Sequence, residues 1–321
     1  MYFRQFFFIS AVLSTLTACS RNNHPHSMEI VEETYVHKYG VSVPSEDWKE
    51  RGEEGQVIAT LKNGVVVTKN YVKGRLEGEC TYTFPYNKQV QRVEIYRSNV
   101  LVSEGAFYPS GAPMQEIHFA PNGAKTRLMW YENGSPMSRE EYDAEAQIAK
   151  GDYYDVHHNQ DSKVMDYEGT RTLRDRYGIL ISQDAINNGR MAERITFHSN
   201  GTPKEIIPYE EETVNGNYKR FYPDGEPQAI EEWQDGRQHG LTILFENGEK
   251  IAEVTYANGM KTGLERRFRE GSEITQEIYW LNNQRHGQCT TYLGRAPQVE
   301  WYYKGEPVTR GNFEVLSEAL P

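Results

Sequence analysis

Glycine recurs in this chain with a period too short for a layered domain. Gly111, Gly123, Gly134, Gly201, Gly225, Gly248, Gly271 and Gly294 align as turn residues; the last five are spaced 24, 23, 23 and 23, the first three 12 and 11. A self-similar unit of that length cannot enclose a core of its own and must stack on its neighbours. Eight residues past those glycines stand Phe119, Tyr131, Tyr142, Tyr209, Trp233, Tyr256, Tyr279 and Tyr302, all aromatic against a background of 12%. The elementary unit is therefore one strand plus one turn, and the longer period is a hairpin plus its connector.

A second column starts at the connector glycines Gly216, Gly240, Gly263 and Gly287, with Phe221, Phe245, Phe268 and Tyr292 five residues on. Constant offsets put these rings on a constant face of neighbouring strands, where cross-strand aromatic pairs stabilise a sheet. Around Asn247-Gly248 the pattern has period two: Leu241, Ile243 and Phe245 alternate with Thr242 and Leu244, then Ile251, Glu253 and Thr255 with Ala252, Val254 and Tyr256. Asn122-Gly123, Asn133-Gly134, Asn200-Gly201, Asp224-Gly225, Asn247-Gly248 and Asn258-Gly259 read as type I′ turns, since both residue types tolerate positive φ. Pro113, Pro136, Pro203, Pro227 and Pro307 follow turn glycines and suit the first position of a strand, where no interior ladder bond is lost. With 37% hydrophobic residues but 22 Tyr and 27 Gly, the chain lacks material for a large two-sided core and suits strands with one wet face.

These columns and turns resemble the MORN-variant repeat of bacterial proteins often labelled antitoxin-like. The fit is closest from Phe221-Tyr222-Pro223-Asp224-Gly225 through Trp233-Gln234-Asp235-Gly236-Arg237-Gln238-His239-Gly240, and again from Phe245-Glu246-Asn247-Gly248 through Tyr256-Ala257-Asn258-Gly259-Met260-Lys261-Thr262-Gly263. The resemblance covers about 71–311 and departs across 143–190. It implies a β-hairpin array making protein or membrane contacts, and no established catalytic residues. The expected fold is all-β: an elongated open antiparallel sheet of hairpin repeats with a short N-terminal helix as cap. In that helix Ser45 suits the N-cap, acids fill the first turn and Gly52 suits the position after the end. The division expected is a leader over 1–18, a lipidated Cys19 and polar tether over 19–27, and a cap over 28–60. Repeats follow over 61–142, irregular repeats or an insertion over 143–190, repeats over 191–311 and a tail over 312–321.

The first 19 residues carry the targeting signal. Arg4 supplies a positive n-region, Phe6 to Leu16 is an apolar stretch too short for a mature span, and Leu16-Thr17-Ala18-Cys19 resembles the lipobox of bacterial lipoproteins. In that family the peptidase cuts before the cysteine, which carries the acyl chains; several chains on one residue give stable anchoring. The alternative is a plain secretory signal with an incidental cysteine. Cys80 and Cys289 share one repeat slot, Gly78-Glu79-Cys80-Thr81 and Gly287-Gln288-Cys289-Thr290. Strands stack at roughly 4.8 Å, so an open sheet holds the two far beyond the ~7 Å Cα limit of a disulfide. Two free, partly buried thiols are expected.

The formal net charge of −11 becomes −12 once residues 1–18, whose one charge is Arg4, are removed. Such a surface repels nucleic acid and anionic headgroups, and no basic cluster offsets it. His157-His158 with Asp155 and Asp161 is the densest set of ligand types, but adjacent residues of a strand point to opposite faces, so a solvated loop is the reading. His239 and His286 precede connector glycines in a slot that Thr262 also fills, which marks turn residues rather than acid–base catalysts. The glycines are singles at turns, never a phosphate loop, and Glu210-Glu211-Glu212 reads as an acidic turn.

The function expected is a non-catalytic, cofactor-free and metal-free repeat scaffold of the cell envelope. It hangs from the membrane by lipid on Cys19, on a periplasmic or surface face, and binds an envelope or host protein. A glycan-binding or glycan-processing role, with sugar rings stacked on the aromatic rows, is the alternative. Phosphoinositide signalling, suggested by eukaryotic relatives of the repeat, is opposed by the charge and by the missing nucleotide motif.

Overall fold

The computed structural model describes residues 29–318 apart from Leu293 and Arg295; the leader and Cys19 lie outside them. Within that span the chain forms 27 strands of a single sheet and two helices, Ser45–Glu50 and Arg310–Glu318. Strands pair antiparallel with their neighbours in sequence, from Ile30–His37 against Gly55–Leu61 to Gln298–Tyr303 against Glu306–Val308. No helix is long and apolar enough to cross a membrane among the described residues.

The turns fall into two rows, one at each end of the strands. In one row lie loops such as Tyr131-Glu132-Asn133-Gly134-Ser135, closed by Gly134 N–H donating to the Tyr131 carbonyl and Tyr131 N–H to the Ser135 carbonyl, both at 2.9 Å. Asn133 Oδ1 takes the Ser135 N–H, also at 2.9 Å. Of the six pairs expected as type I′, only Asn247-Gly248 and Asn258-Gly259 have positive φ at both residues. In the other four only the glycine is left-handed. Pro121 and Pro223 lock the position before the Asn or Asp in negative φ, which makes a type I turn followed by a left-handed glycine.

The same loop explains 143–190, where irregular or inserted structure is expected. The sheet runs on through Ile148–Tyr154, Gln160–Met165, Glu168–Arg174 and Leu180–Asn187. Ala146 and His158, at φ 64° and 66°, take the left-handed position that glycine fills elsewhere. Ala146 N–H donates to the Asp143 carbonyl and His158 N–H to the Asp155 carbonyl, just as Gly134 does to Tyr131. An alignment keyed on glycine loses its phase at these two residues while the ladder continues.

The strands that open at Val100, Arg190, Arg237, Met260 and Gln284 after two-residue connectors carry a bulge. Thus Trp233 pairs with Gln238 but Glu231 with Thr242, which leaves Gly240 in the bulge at φ +100°. A Cβ there would collide with the Glu232 side chain. At the N-terminal end the helix puts Trp48 between Tyr35 and Tyr71, at ring separations of 5.8 and 6.4 Å. Its N-cap is Pro44, not Ser45, and no side chain caps it. The tail expected over 312–321 is in fact largely the helix Arg310–Glu318, whose Phe313 packs on Trp301 at 5.2 Å and on His286 at 5.3 Å.

Candidate functional site

A single-layer sheet buries one face only as far as its own side chains cover it. Here the better-buried face combines rings with neutralised acids. Opposite these connector glycines stands an aromatic from the following strand: Tyr96 faces Gly78, Trp233 Gly216, Tyr256 Gly240, Trp280 Gly263 and Tyr302 Gly287. These glycines take positive φ, from 78° at Gly78 to 109° at Gly216, a conformation that disfavours a side chain there. Two residues before the aromatic, on the same face, stands an acid in Glu94, Glu140, Glu231 and Glu300.

Glu94, Glu140 and Glu231 are tied to their own aromatics and to neighbouring strands, and the exposed Glu300 to its own aromatic. Glu94 accepts from Tyr82 at 2.8 Å and Tyr96 at 3.1 Å and pairs with Arg92 at 2.9 Å. Glu231 accepts the Trp233 indole N–H at 2.9 Å and pairs with Arg220. Glu300 accepts from Tyr302 at 3.1 Å. Glu265, in the cross-strand slot, is held by Arg267 at 2.8 Å and Lys261 at 3.1 Å. Burial would raise the Glu265 carboxyl, but those two cations outweigh it and keep it below the ordinary range.

The densest point of the network lies at Glu140, which is 0% exposed. It accepts from Arg127 Nε at 2.8 Å, Tyr142 at 2.7 Å, Tyr153 at 3.0 Å and Arg171 Nε at 2.8 Å. Arg171 goes on to Asp184 at 3.7 Å, and Asp184 is gripped by both ends of the Arg194 guanidinium at 2.7 and 2.8 Å. Arg171 stands three strands from Glu140, so a flat sheet would hold the backbones about 14 Å apart. The sheet therefore curls over this face, around Ile148, Tyr153, Val164 and Ile186. Burial would raise Glu140, yet Arg171 and Arg127 hold it down at about 2. Burial beside Glu140 pushes the Tyr142 and Tyr153 hydroxyls far up.

Both turn rows are stitched across the repeats. In one row side chains do it: Tyr108 donates to the Trp130 carbonyl at 2.9 Å, Tyr131 to Tyr154 at 2.6 Å, His198 to Phe221 at 3.0 Å and Tyr222 to Phe245 at 3.3 Å. In the other row main-chain amides do it: Gly189 to Tyr167 at 2.8 Å, Gly236 to Val214 at 2.9 Å, Gly259 to Gln238 at 2.8 Å and Asn283 to Lys261 at 3.0 Å. His239 and His286 serve this second row, their Nδ1 atoms accepting the amides of Asn258 at 3.4 Å and Lys304 at 3.2 Å.

The eight-residue column is not one uniform row. Phe119, Tyr142, Tyr209, Trp233, Tyr256 and Tyr302 are half-buried, Tyr131 is fully buried within a turn, and Tyr279 is 45% exposed on the opposite face. The turn Glu270-Gly271-Ser272 is one residue longer than Asn247-Gly248, and a one-residue slip exchanges the faces of a strand. Trp280 consequently takes the inward place. Its acid slot holds Ile278, and its buried indole N–H has no partner. The acids themselves were missed in the sequence, although the Glu-x-aromatic spacing marks four of them.

Cys80 and Cys289 are free and fully rather than partly buried, and burial pushes both thiols up. His158 stacks on Tyr154 at 4.9 Å, Asp155 caps the His157 and Asn159 amides, and Asp161 pairs with Arg174 at 2.6 Å. No group of three metal-ligating side chains gathers among the described residues. Grooves between turns enclose about 300 Å³ beside His198, Arg220 and Tyr222, and about 290 Å³ beside Phe119, Lys125 and Tyr142.

The MORN repeat variant family matches residues 214–235, the hairpin of Gly216–Phe221 and Pro227–Gln234. Among solved structures, a chain in the crystal structure of TcdB2-TccC3 is similar at 12% identity over 84% of this chain and 16% of that chain, with a TM-score of 0.17. No curated protein matches the chain.

Proposed function

We propose that this chain is a non-catalytic scaffold of the bacterial cell envelope, related to the antitoxin-like MORN-variant proteins, held to a membrane by lipid on Cys19 and binding a protein partner along its sheet. The observation that carries the reading is the inner face. Glu140 and Glu265 are held as anions there by arginine and lysine, so carboxyls whose acidity is shifted downward serve as structural ties. Glu140, wholly enclosed and kept ionised, has neither the access nor the protonation state of a general acid. A stitched array with a long outer surface suits contact along its length.

The aromatic rows support this reading over glycan stacking. A ring that stacks on a sugar must be open, and seven of the eight rings in the column are half-buried or buried. Crosslinking–mass spectrometry on intact cells carrying the full chain should recover one specific envelope protein, with crosslinks on the repeats. Recovery of nothing above background, with binding on a glycan array, would replace the scaffold by the glycan reading. Labelled palmitate should enter the chain and be lost in Cys19→Ser; label retained in that variant rules out the anchor.

A further inference from the structure

Eight Asn-Gly pairs stand in the chain, at Asn63, Asn122, Asn133, Asn188, Asn200, Asn215, Asn247 and Asn258. This dipeptide is chemically labile. The glycine nitrogen, on losing its proton, attacks the asparagine Cγ; a C–N bond forms, the bond to Nδ2 breaks, and ammonia leaves. Water then opens the succinimide to aspartate or isoaspartate, turning a neutral side chain into a carboxylate. The attack needs a glycine N–H free to ionise and an asparagine side chain free to rotate. The structure separates the eight pairs on both counts.

In the four five-residue loops both groups are engaged. Gly64, Gly123, Gly134 and Gly201 donate their N–H to Leu61, Ala120, Tyr131 and His198 at 2.8 to 3.0 Å. The Oδ1 atoms of Asn63, Asn122, Asn133 and Asn200 accept the amide two residues on, at 2.9 to 3.1 Å. Asn215 donates Nδ2 to Glu210 at 2.6 Å, and Gly216 lies in a strand opposite Trp233. Three type I′ turns remain: Asn188-Gly189, Asn247-Gly248 and Asn258-Gly259, with φ of 50° and 73°, 52° and 77°, and 51° and 81°. Their local geometry is the same, but their position is not. Asn188 and Asn258 lie in the row stitched by main-chain bonds, so Gly189 and Gly259 donate to Tyr167 and Gln238, both at 2.8 Å. Asn247 lies in the other row. Among the described residues neither the Gly248 N–H nor the exposed Asn247 side chain has a hydrogen-bond partner. The Glu226 carboxylate lies 3.1 Å from where a Cβ on Gly248 would stand and takes no bond from the Gly248 N–H.

We propose that Asn247 is a spontaneous deamidation site, the one Asn-Gly pair of the array left unprotected by the stitching of the turns. The product adds a negative charge to an already acidic chain. Its isoaspartyl form adds a methylene to the two-residue turn between Arg237–Glu246 and Glu249–Ala257. The test is ageing of the purified chain in warm, mildly alkaline buffer, with peptide mapping that separates Asn, Asp and isoAsp at all eight sites. Asn247 should convert first, about fivefold faster than Asn188 and Asn258, the factor that one net hydrogen bond supplies. Amide hydrogen exchange on the fresh protein should likewise find Gly248 faster than Gly189 and Gly259. Equal conversion at the three type I′ sites, or earlier conversion at any loop asparagine, overturns the proposal. So does a Gly248 amide as protected as Gly259.

Discussion

Glu140 shows how a single residue can be both hidden in a sequence and central to a fold. Its two arginines come from strands before and after its own, Arg127 and Arg171, so no local spacing reveals the cluster. Replacing it by Gln leaves both guanidinium groups buried beside a neutral amide, a loss of about 3 to 5 kcal/mol. The pH dependence follows from the depressed acidity. The folded state binds the Glu140 proton only near pH 2, the unfolded chain near the ordinary carboxylate value of about 4.3. The stabilisation is therefore complete above about pH 5 and is lost as pH falls toward 2, amounting to roughly 3 kcal/mol. Urea unfolding of wild type and Glu140→Gln at neutral and acid pH should show the gap between them closing as pH drops. A gap that stays constant would mean that the carboxylate is not what the arginines hold.

At the scale of strands and turns, the sequence was legible wherever chemistry repeats at a fixed offset. Prolines at strand starts, glycines in bulges and alternating faces all follow from single-residue rules. Three features were not legible for physical reasons. Ala146 and His158 adopt a conformation that glycine only favours, so a glycine alignment skips them. A three-residue turn flips Tyr279 outward and brings Trp280 in, which offset counting cannot see. The lateral stitching joins groups from neighbouring hairpins, as from Tyr131 to Tyr154, and depends on the stacking itself. That last bond is testable. Tyr131→Phe keeps the ring and removes the hydroxyl, leaving the Tyr154 carbonyl without its donor; the cost should be about 1 to 2 kcal/mol. Hydrogen exchange should speed up in the adjoining hairpins, around 131–159, and stay unchanged beyond 237. Uniform acceleration over the whole chain would deny the stitching its local role.

Across the whole molecule one native pair, Glu94 opposite Glu104, sets two carboxylates face to face, and burial raises the Glu104 carboxyl; two deletions test whether a further such pair limits which repeats can be neighbours. Removing Met260–Asn283 joins Gly259 to Gln284, so that Val254, now opposite Glu265, comes to face Cys289. An apolar pair results, and the unpartnered Trp280 indole leaves with the unit. Removing Arg237–Gly259 joins Gly236 to Met260, equally smooth in the turn, but puts Glu265 opposite Glu231 where Thr242 stood. Two carboxylates then share one cross-strand position, and like charges directly opposite are destabilising by up to about 1 kcal/mol even at the surface. Each deletion removes two strands, so scattering should find either array shorter by about 10 Å. Because stability in such an array is a sum of units and interfaces, the first deletion should unfold close to the parent, and the second at a Tm about 2 °C lower at neutral pH. Acidification that protonates one of the facing carboxyls should bring the two deletions back together. Equal stability at every pH would mean that hairpin geometry alone, and not the pairing of acids with cations along the inner face, sets which units can be neighbours.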